Sequence, residues 1–92
     1  MTEEARTTVE VPNRLGLHAR AAAKLVDVAN RFESHVEVSK DGQSADAKSI
    51  MGVLLLCGHR GCELTFRAVG SDASAAVEAL GELVADGFGE ES

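Results

Sequence analysis

Two periodicities take turns along this chain. Between Thr7 and Val11 polar and apolar residues alternate, with Val9 and Val11 on one face, which predicts a strand ended by Pro12-Asn13. From Ala19 to Phe32 the apolar positions Ala22, Leu25, Val26, Ala29 and Phe32 recur at steps of three and four. That spacing predicts an amphipathic helix with Lys24, Asp27 and Arg31 on its polar side. Val36 and Val38 alternate with His35, Glu37 and Ser39 in a second strand, and Asp41-Gly42 is a hairpin turn from which residues 43–47 should return antiparallel. Ser49 is placed to cap a short, very apolar helix, Ile50 to Leu56. Beyond a loop marked by Gly58 and Gly61, the residues Cys62, Leu64, Phe66 and Ala68 alternate with Glu63, Thr65 and Arg67 in a fourth strand. Ser71-Asp72 then caps a last helix whose buried stripe is Ala76, Val77, Leu80, Leu83 and Val84.

The predicted order is β-α-β-β-α-β-α. Each element has one apolar side to bury, and one connection is a hairpin, so the economical arrangement is α+β: a four-stranded, mostly antiparallel sheet with three helices on one face. Ninety-two residues make a single domain, residues 1–92. Residues 1–5 and 87–92 are expected to fray.

Composition narrows the function. Apolar residues are 45% of the chain but aromatics only 3%, without Trp or Tyr, so the core is built from Val, Leu, Ala, Ile and three Phe. The net charge of −6 leaves no basic stripe for phosphates and no aromatic platform for bases, which argues against an RNA-binding module and against any nucleic-acid partner. The acidic start Met1-Thr2-Glu3-Glu4 is no signal peptide, and the longest apolar run, Ile50 to Cys57 broken by Gly52, is too short to span a bilayer. A cytoplasmic monomer is expected. Cys57 and Cys62 flank Gly58-His59-Arg60-Gly61; they are no CxxC pair, and a zinc site would lack a fourth ligand. Two reduced thiols beside a turn are expected, with a reversible disulfide as the alternative.

The chemistry concentrates in Gly16-Leu17-His18-Ala19-Arg20-Ala21-Ala22. Placed at the N-cap of the first helix, His18 sits where backbone N–H groups lack partners and peptide dipoles leave partial positive charge. Positive potential disfavours a protonated imidazole and keeps the ring nucleophilic. A phosphoryl group on the ring would then meet free N–H donors, and Arg20 could fold back onto its oxygens. A helix end contributes about 0.3–1 kcal/mol to an exposed charge, and a charged hydrogen bond about 1.5–3 kcal/mol. Stabilisation of that size holds a group without trapping it. The competing reading is a helix-capping histidine beside a solvated arginine. No glycine-rich nucleotide loop or acidic cluster accompanies His18, so neither metal nor cofactor is expected and the phosphate must come from another protein.

These residues, with Lys48-Ser49-Ile50-Met51-Gly52-Val53 about thirty positions on, resemble the histidine-containing phosphocarrier (HPr) family of the bacterial phosphotransferase system, over Thr7 to Gly87. The resemblance implies an open-faced β-sandwich. It also implies that His18 accepts phosphate at Nδ1 from phospho-enzyme I and passes it to an enzyme IIA protein or domain, with Arg20 assisting. The chain departs from the family at Ala21, where proline usually follows the arginine. Ala21 restores an N–H and relaxes the backbone there.

Ser49 as a cap should contribute about 1 kcal/mol. By resemblance it is also the regulatory serine of HPr kinase/phosphorylase; a phosphoserine at a helix N-terminus is tolerated while adding about two negative charges. The second helix is apolar almost all round, so part of it is core, chiefly Val53 and Leu56, and part is surface for partners. By resemblance Ile50, Met51 and Leu54, with Leu17 and Arg20, form a docking face shared by enzyme I, enzyme IIA and the kinase. His35 and His59 carry no motif and no assigned role. The rival reading is a regulatory paralogue of the phosphotransferase system, of the nitrogen type or a kinase-controlled adaptor, not mainly serving sugar uptake.

Overall fold

The computed structural model describes residues 3–90 and carries the expected element order. The strands are β1 (Glu3–Glu10), β2 (His35–Lys40), β3 (Gln43–Asp46) and β4 (Glu63–Gly70); the helices are α1 (Ala19–Ala29), α2 (Ile50–Leu55) and α3 (Ala73–Ala85). The strands form one antiparallel sheet in the order β1-β4-β2-β3. The hairpin turns at Asp41-Gly42, with Lys40 opposite Gln43.

Alternation sorts the sheet into two faces, since successive side chains in a strand point opposite ways. Val36, Val38, Leu64, Phe66 and Ala68 are buried on one face, and Ala5 and Val9 pack against them at the edge. The helices supply Ala21, Ala22, Leu25 and Ala29 from α1, Val53 from α2, and Ala76, Val77, Leu80 and Val84 from α3 to the same core. Val53 and Leu56 are core, as expected; Leu83 only packs against it. Phe66, on the central strand β4, is fully buried, and a side chain of this kind contributes roughly 1.5–3 kcal/mol on burial.

Both expected frayed ends require correction. Strand β1 starts at Glu3, because β4 pairs along its whole length, from Glu3 opposite Gly70 to Glu10 opposite Glu63. Arg67 on β4 donates from Nε and Nη2 to the two carboxylate oxygens of Glu4, at 3.1 and 3.2 Å. That hydrogen-bonded guanidinium holds the Glu4 carboxyl below its ordinary value. At the other end, Gly87–Gly89 form a tight turn with positive φ at all three residues and Phe88 fully buried, so residues 87–90 are part of the packed molecule. Residues 1, 2, 91 and 92 lie outside the described residues.

Asp72 is the N-cap residue of α3, but its carboxylate makes no cap bond. It accepts instead from the Glu33 N–H (2.9 Å), the Ser34 N–H (3.0 Å) and the Ser34 hydroxyl. These donors, the Ser34 hydroxyl foremost, hold the Asp72 carboxyl below its ordinary value and tie the start of α3 to the turn before β2.

Candidate functional site

His18 ends a loop that a second loop supports. Gly16 takes φ +64°, and a Cβ there would lie 2.6 Å from the Gly58 carbonyl oxygen and 2.9 Å from His59 Cα, so only glycine fits. The Leu17 N–H donates to that carbonyl at 2.9 Å. The close approach turns the Leu17 side chain inward; it is 4% exposed, in the core and not on a docking face.

His18 is the N-cap residue of α1, with extended backbone (φ −82°, ψ 178°). Its side chain makes no cap hydrogen bond, so the purely capping explanation is not met. The first intrahelical bond runs from the Ala22 N–H to the His18 carbonyl at 2.8 Å, leaving the amides of residues 19–21 ahead of it without intrahelical partners.

The imidazole borders an open cleft of about 580 Å³ walled by Arg14, Leu15, Arg20, Lys24 and Glu90. Arg20 is exposed in the first turn of α1, on the same wall as His18, as its position predicts. Three cationic side chains thus line a cleft in a chain of net charge −6.

Sequence reasoning missed the residues that close the far side. Glu90, assigned to the frayed tail, places its carboxylate against His18 Nε2. Its other oxygen accepts from Asn13 Nδ2 at 2.9 Å, and the same amide donates to the Gly16 carbonyl at 2.9 Å. Lys24, assigned to the solvated face of α1, is half-buried and donates to the Phe88 carbonyl at 2.7 Å. Burial works to raise the Glu90 carboxyl, but hydrogen bonds from Asn13 and His18 and the charges of His18 and Lys24 outweigh it, so the group lies below its ordinary value. Asn13 is 2% exposed and its Oδ1 has no partner among the described residues. A buried orphan acceptor costs about 1–3 kcal/mol. The signal for this closure was Phe88: a lone aromatic in a polar tail, in a chain with few aromatics, belongs in the core.

Ser49 caps α2 as expected, its Oγ accepting from the Gly52 N–H at 3.3 Å. Of the expected docking residues, Ile50 and Met51 are exposed, Met51 by 67%, but Leu54 is half-buried against the core. The helix turns Leu55 outward in its place, at 71% exposure, and Leu15 adds 64% beside the cleft. The period of 3.6 decides this: Leu54 lies one residue from buried Val53, whereas Leu55 falls with Met51 on the opposite side. Cys57 is exposed, Cys62 buried, and both are free thiols. Among the described residues no group of three or more His, Cys, Asp or Glu could hold a metal ion, and no helix is long and apolar enough to cross a membrane.

A family model described as the PTS HPr component phosphorylation site matches residues 5–86. The chain belongs to the HPr family. It is 49% identical over 78 residues to the phosphocarrier protein HPr of Cupriavidus necator, covering 85% of this chain and 88% of that one. It is 45% identical over 86 residues to the multiphosphoryl transfer protein of Vibrio cholerae, covering 90% of this chain and 22% of that longer one. The crystal structure of an HPr from Thermoanaerobacter tengcongensis superposes with a TM-score of 0.91 at 41% identity, over 96% of this chain and 99% of that one. The chain carries the family's open-faced antiparallel sheet with three helices. Ala21, where the resemblance implies a proline, is the third residue of α1 and fully buried.

Proposed function

We propose that this chain is a stoichiometric phosphoryl carrier of the phosphotransferase system, acting in the cytoplasm without metal or cofactor. His18 accepts a phosphoryl group at Nδ1 from phospho-enzyme I and passes it to an enzyme IIA protein or domain. The observation that carries this reading is His18 at the N-terminus of α1, on a cleft shared with Arg20, Arg14 and Lys24, in a member of the HPr family.

The nitrogen's lone pair attacks phosphorus in line, the donor's P–N bond breaks, and its electron pair returns to the donor. The ring gains positive charge while the phosphoryl oxygens stay anionic. Unpartnered amides at the start of α1 and the Arg20 guanidinium are suited to those oxygens. Onward transfer reverses the step, so the site must hold the group only moderately. Leu15 at the cleft and Ile50, Met51 and Leu55 on α2 are exposed apolar side chains suited to contact with partners.

Ser49 is proposed as a regulatory phosphorylation site for HPr kinase/phosphorylase. Its hydroxyl already lies at the N-terminus of α2, where a phosphate would be tolerated by the fold and would change the charge of the adjoining surface.

The decisive test is incubation with phosphoenolpyruvate and enzyme I. Acid-labile, base-stable label on the wild type and none on His18→Ala is expected. An unlabelled wild type, under conditions that charge a standard HPr, would remove the carrier reading. Acid-stable label alone, obtained with ATP and the kinase, would favour the regulatory paralogue.

A further inference from the structure

Glu90 stands seventy-two residues from His18 in the chain, yet their side chains meet, and several independent contacts hold it there. Phe88 is buried in the core two residues earlier; Lys24 donates to the Phe88 carbonyl; Asn13 donates to Glu90 Oε1. Asn13 also binds the Gly16 carbonyl, so one buried amide joins the loop that presents His18 to the residue that meets it. The His18 and Glu90 side chains are only 26% and 16% exposed.

A carboxylate accepts hydrogen bonds and donates none. Glu90 lies below its ordinary value of 4.5 and is therefore ionised at neutral pH. The ring nitrogen it meets is Nε2, so Nε2 must carry the proton. In neutral imidazole that leaves the lone pair on Nδ1. Partners of this kind set the tautomer and orientation of a working histidine.

We infer that Glu90 is a positioning residue for phosphoryl transfer: it selects the Nε2–H tautomer of His18, leaves Nδ1 as the nucleophile, and balances the positive charge that the ring gains on phosphorylation. This rests on the carrier reading above. The Nε2 proton stays in place throughout. The lone pair of Nδ1 forms the N–P bond as the donor's breaks, and on onward transfer the N–P electrons return to Nδ1. No proton is gained or lost, so the carboxylate stays seated at Nε2 through both steps while Nδ1 exchanges phosphate.

The test uses the whole chain and two variants. Nitrogen-15 NMR of the His18 ring above neutral pH, with no phosphate donor present, reads the tautomer ratio directly. In Glu90→Ala the ratio of Nδ1–H to Nε2–H should rise about threefold to tenfold, and the initial rate of phosphorylation by enzyme I should fall by a similar factor. Glu90→Gln keeps an acceptor but not the charge; it should hold the tautomer closer to wild type and still accept phosphate more slowly. A tautomer ratio unchanged in Glu90→Ala would overturn the inference, as would a shifted ratio with unchanged rates. If the wild type itself takes no label, the carrier reading fails, while the tautomer ratio still decides whether Glu90 orders the ring.

Discussion

Phe88 is the side chain on which the chain's C-terminal closure depends, so Phe88→Ala tests that closure directly. Phe88 is fully buried and has a backbone φ of 60°, in the left-handed region. Burying a phenylalanine side chain contributes roughly 1.5–3 kcal/mol, as for Phe66. The left-handed backbone of a non-glycine residue costs about 1–2 kcal/mol. Alanine keeps that strain, which therefore cancels in the comparison, and it loses the burial while leaving a cavity whose cost adds to the loss. The expected loss is about 3 kcal/mol, at the lower end of the range for Phe→Ala in cores because a chain end relaxes more readily than a central strand. At roughly 4–8 °C per kcal/mol for a domain of this size, the thermal midpoint should fall by about 12–24 °C. Phe88→Leu should lose about 1 kcal/mol, as retained apolar volume predicts. Urea denaturation checks both variants. A loss below about 1 kcal/mol for Phe88→Ala would mean that the closure contributes no packing, and the account of how Glu90 is held would fall with it.

Other perturbations test separate links. Gly70→Ala places a Cβ 2.4 Å from Ser34 Oγ and 2.7 Å from Ser34 Cα at a φ of 153°, so a loss of about 2 kcal/mol or more is expected in chemical denaturation. Ser49→Ala should lose about 1 kcal/mol with the α2 cap, whereas Ser49→Asp should keep a cap and lose little; equal losses would refute the capping role. Ala21→Pro should leave the thermal midpoint nearly unchanged, because the Ala21 N–H precedes the first intrahelical bond, while altering transfer kinetics; a large loss of stability would sink that account. Asp72 lies below its ordinary 3.8, so the folded state binds fewer protons there than the unfolded one. Its stabilisation is complete above 3.8 and is lost as pH falls through the depressed folded value, and Asp72→Asn should flatten that part of the acid-denaturation curve.

Local period carried most of the fold. The stripes of α1 and α3 and the alternation in β2 and β4 are short-range patterns, and a Ser49 cap or an Asp41-Gly42 turn needs only its own neighbours. Long-range pairing was not written locally. Glu3 and Glu4 look like a solvated end until β4 pairs along them and Arg67 binds Glu4. Leu17 reads as surface within its own motif and is buried because another loop lies over it. Asp72 reads as a cap and serves a turn thirty-eight residues away. At the site, His18 and Arg20 are neighbours in sequence and could be seen together, but Glu90 reaches His18 through the packing of Phe88 and the hydrogen bonds from Lys24 and Asn13.

A carrier must bind several partners and release each, and the surface around His18 fits that requirement. The exposed large apolar side chains among the described residues are Leu15 at the cleft and Ile50, Met51 and Leu55 on α2, four groups against the roughly 20–30 residues a side of a standard stable interface. Cations cluster at the cleft while the chain as a whole is acidic, so long-range attraction to an acidic partner is confined to the region that must meet it. Charged rims of this kind raise association rates more than they slow dissociation. Phosphate on Ser49 would set about two negative charges beside Ile50 and Met51 without opening the helix that Ser49 caps. Its effect would therefore fall on encounter with partners and not on the ring of His18. On this reasoning phosphoserine weakens docking to an acidic partner, and increasingly so as salt is lowered, while the His18 tautomer set by Glu90 stays as it is.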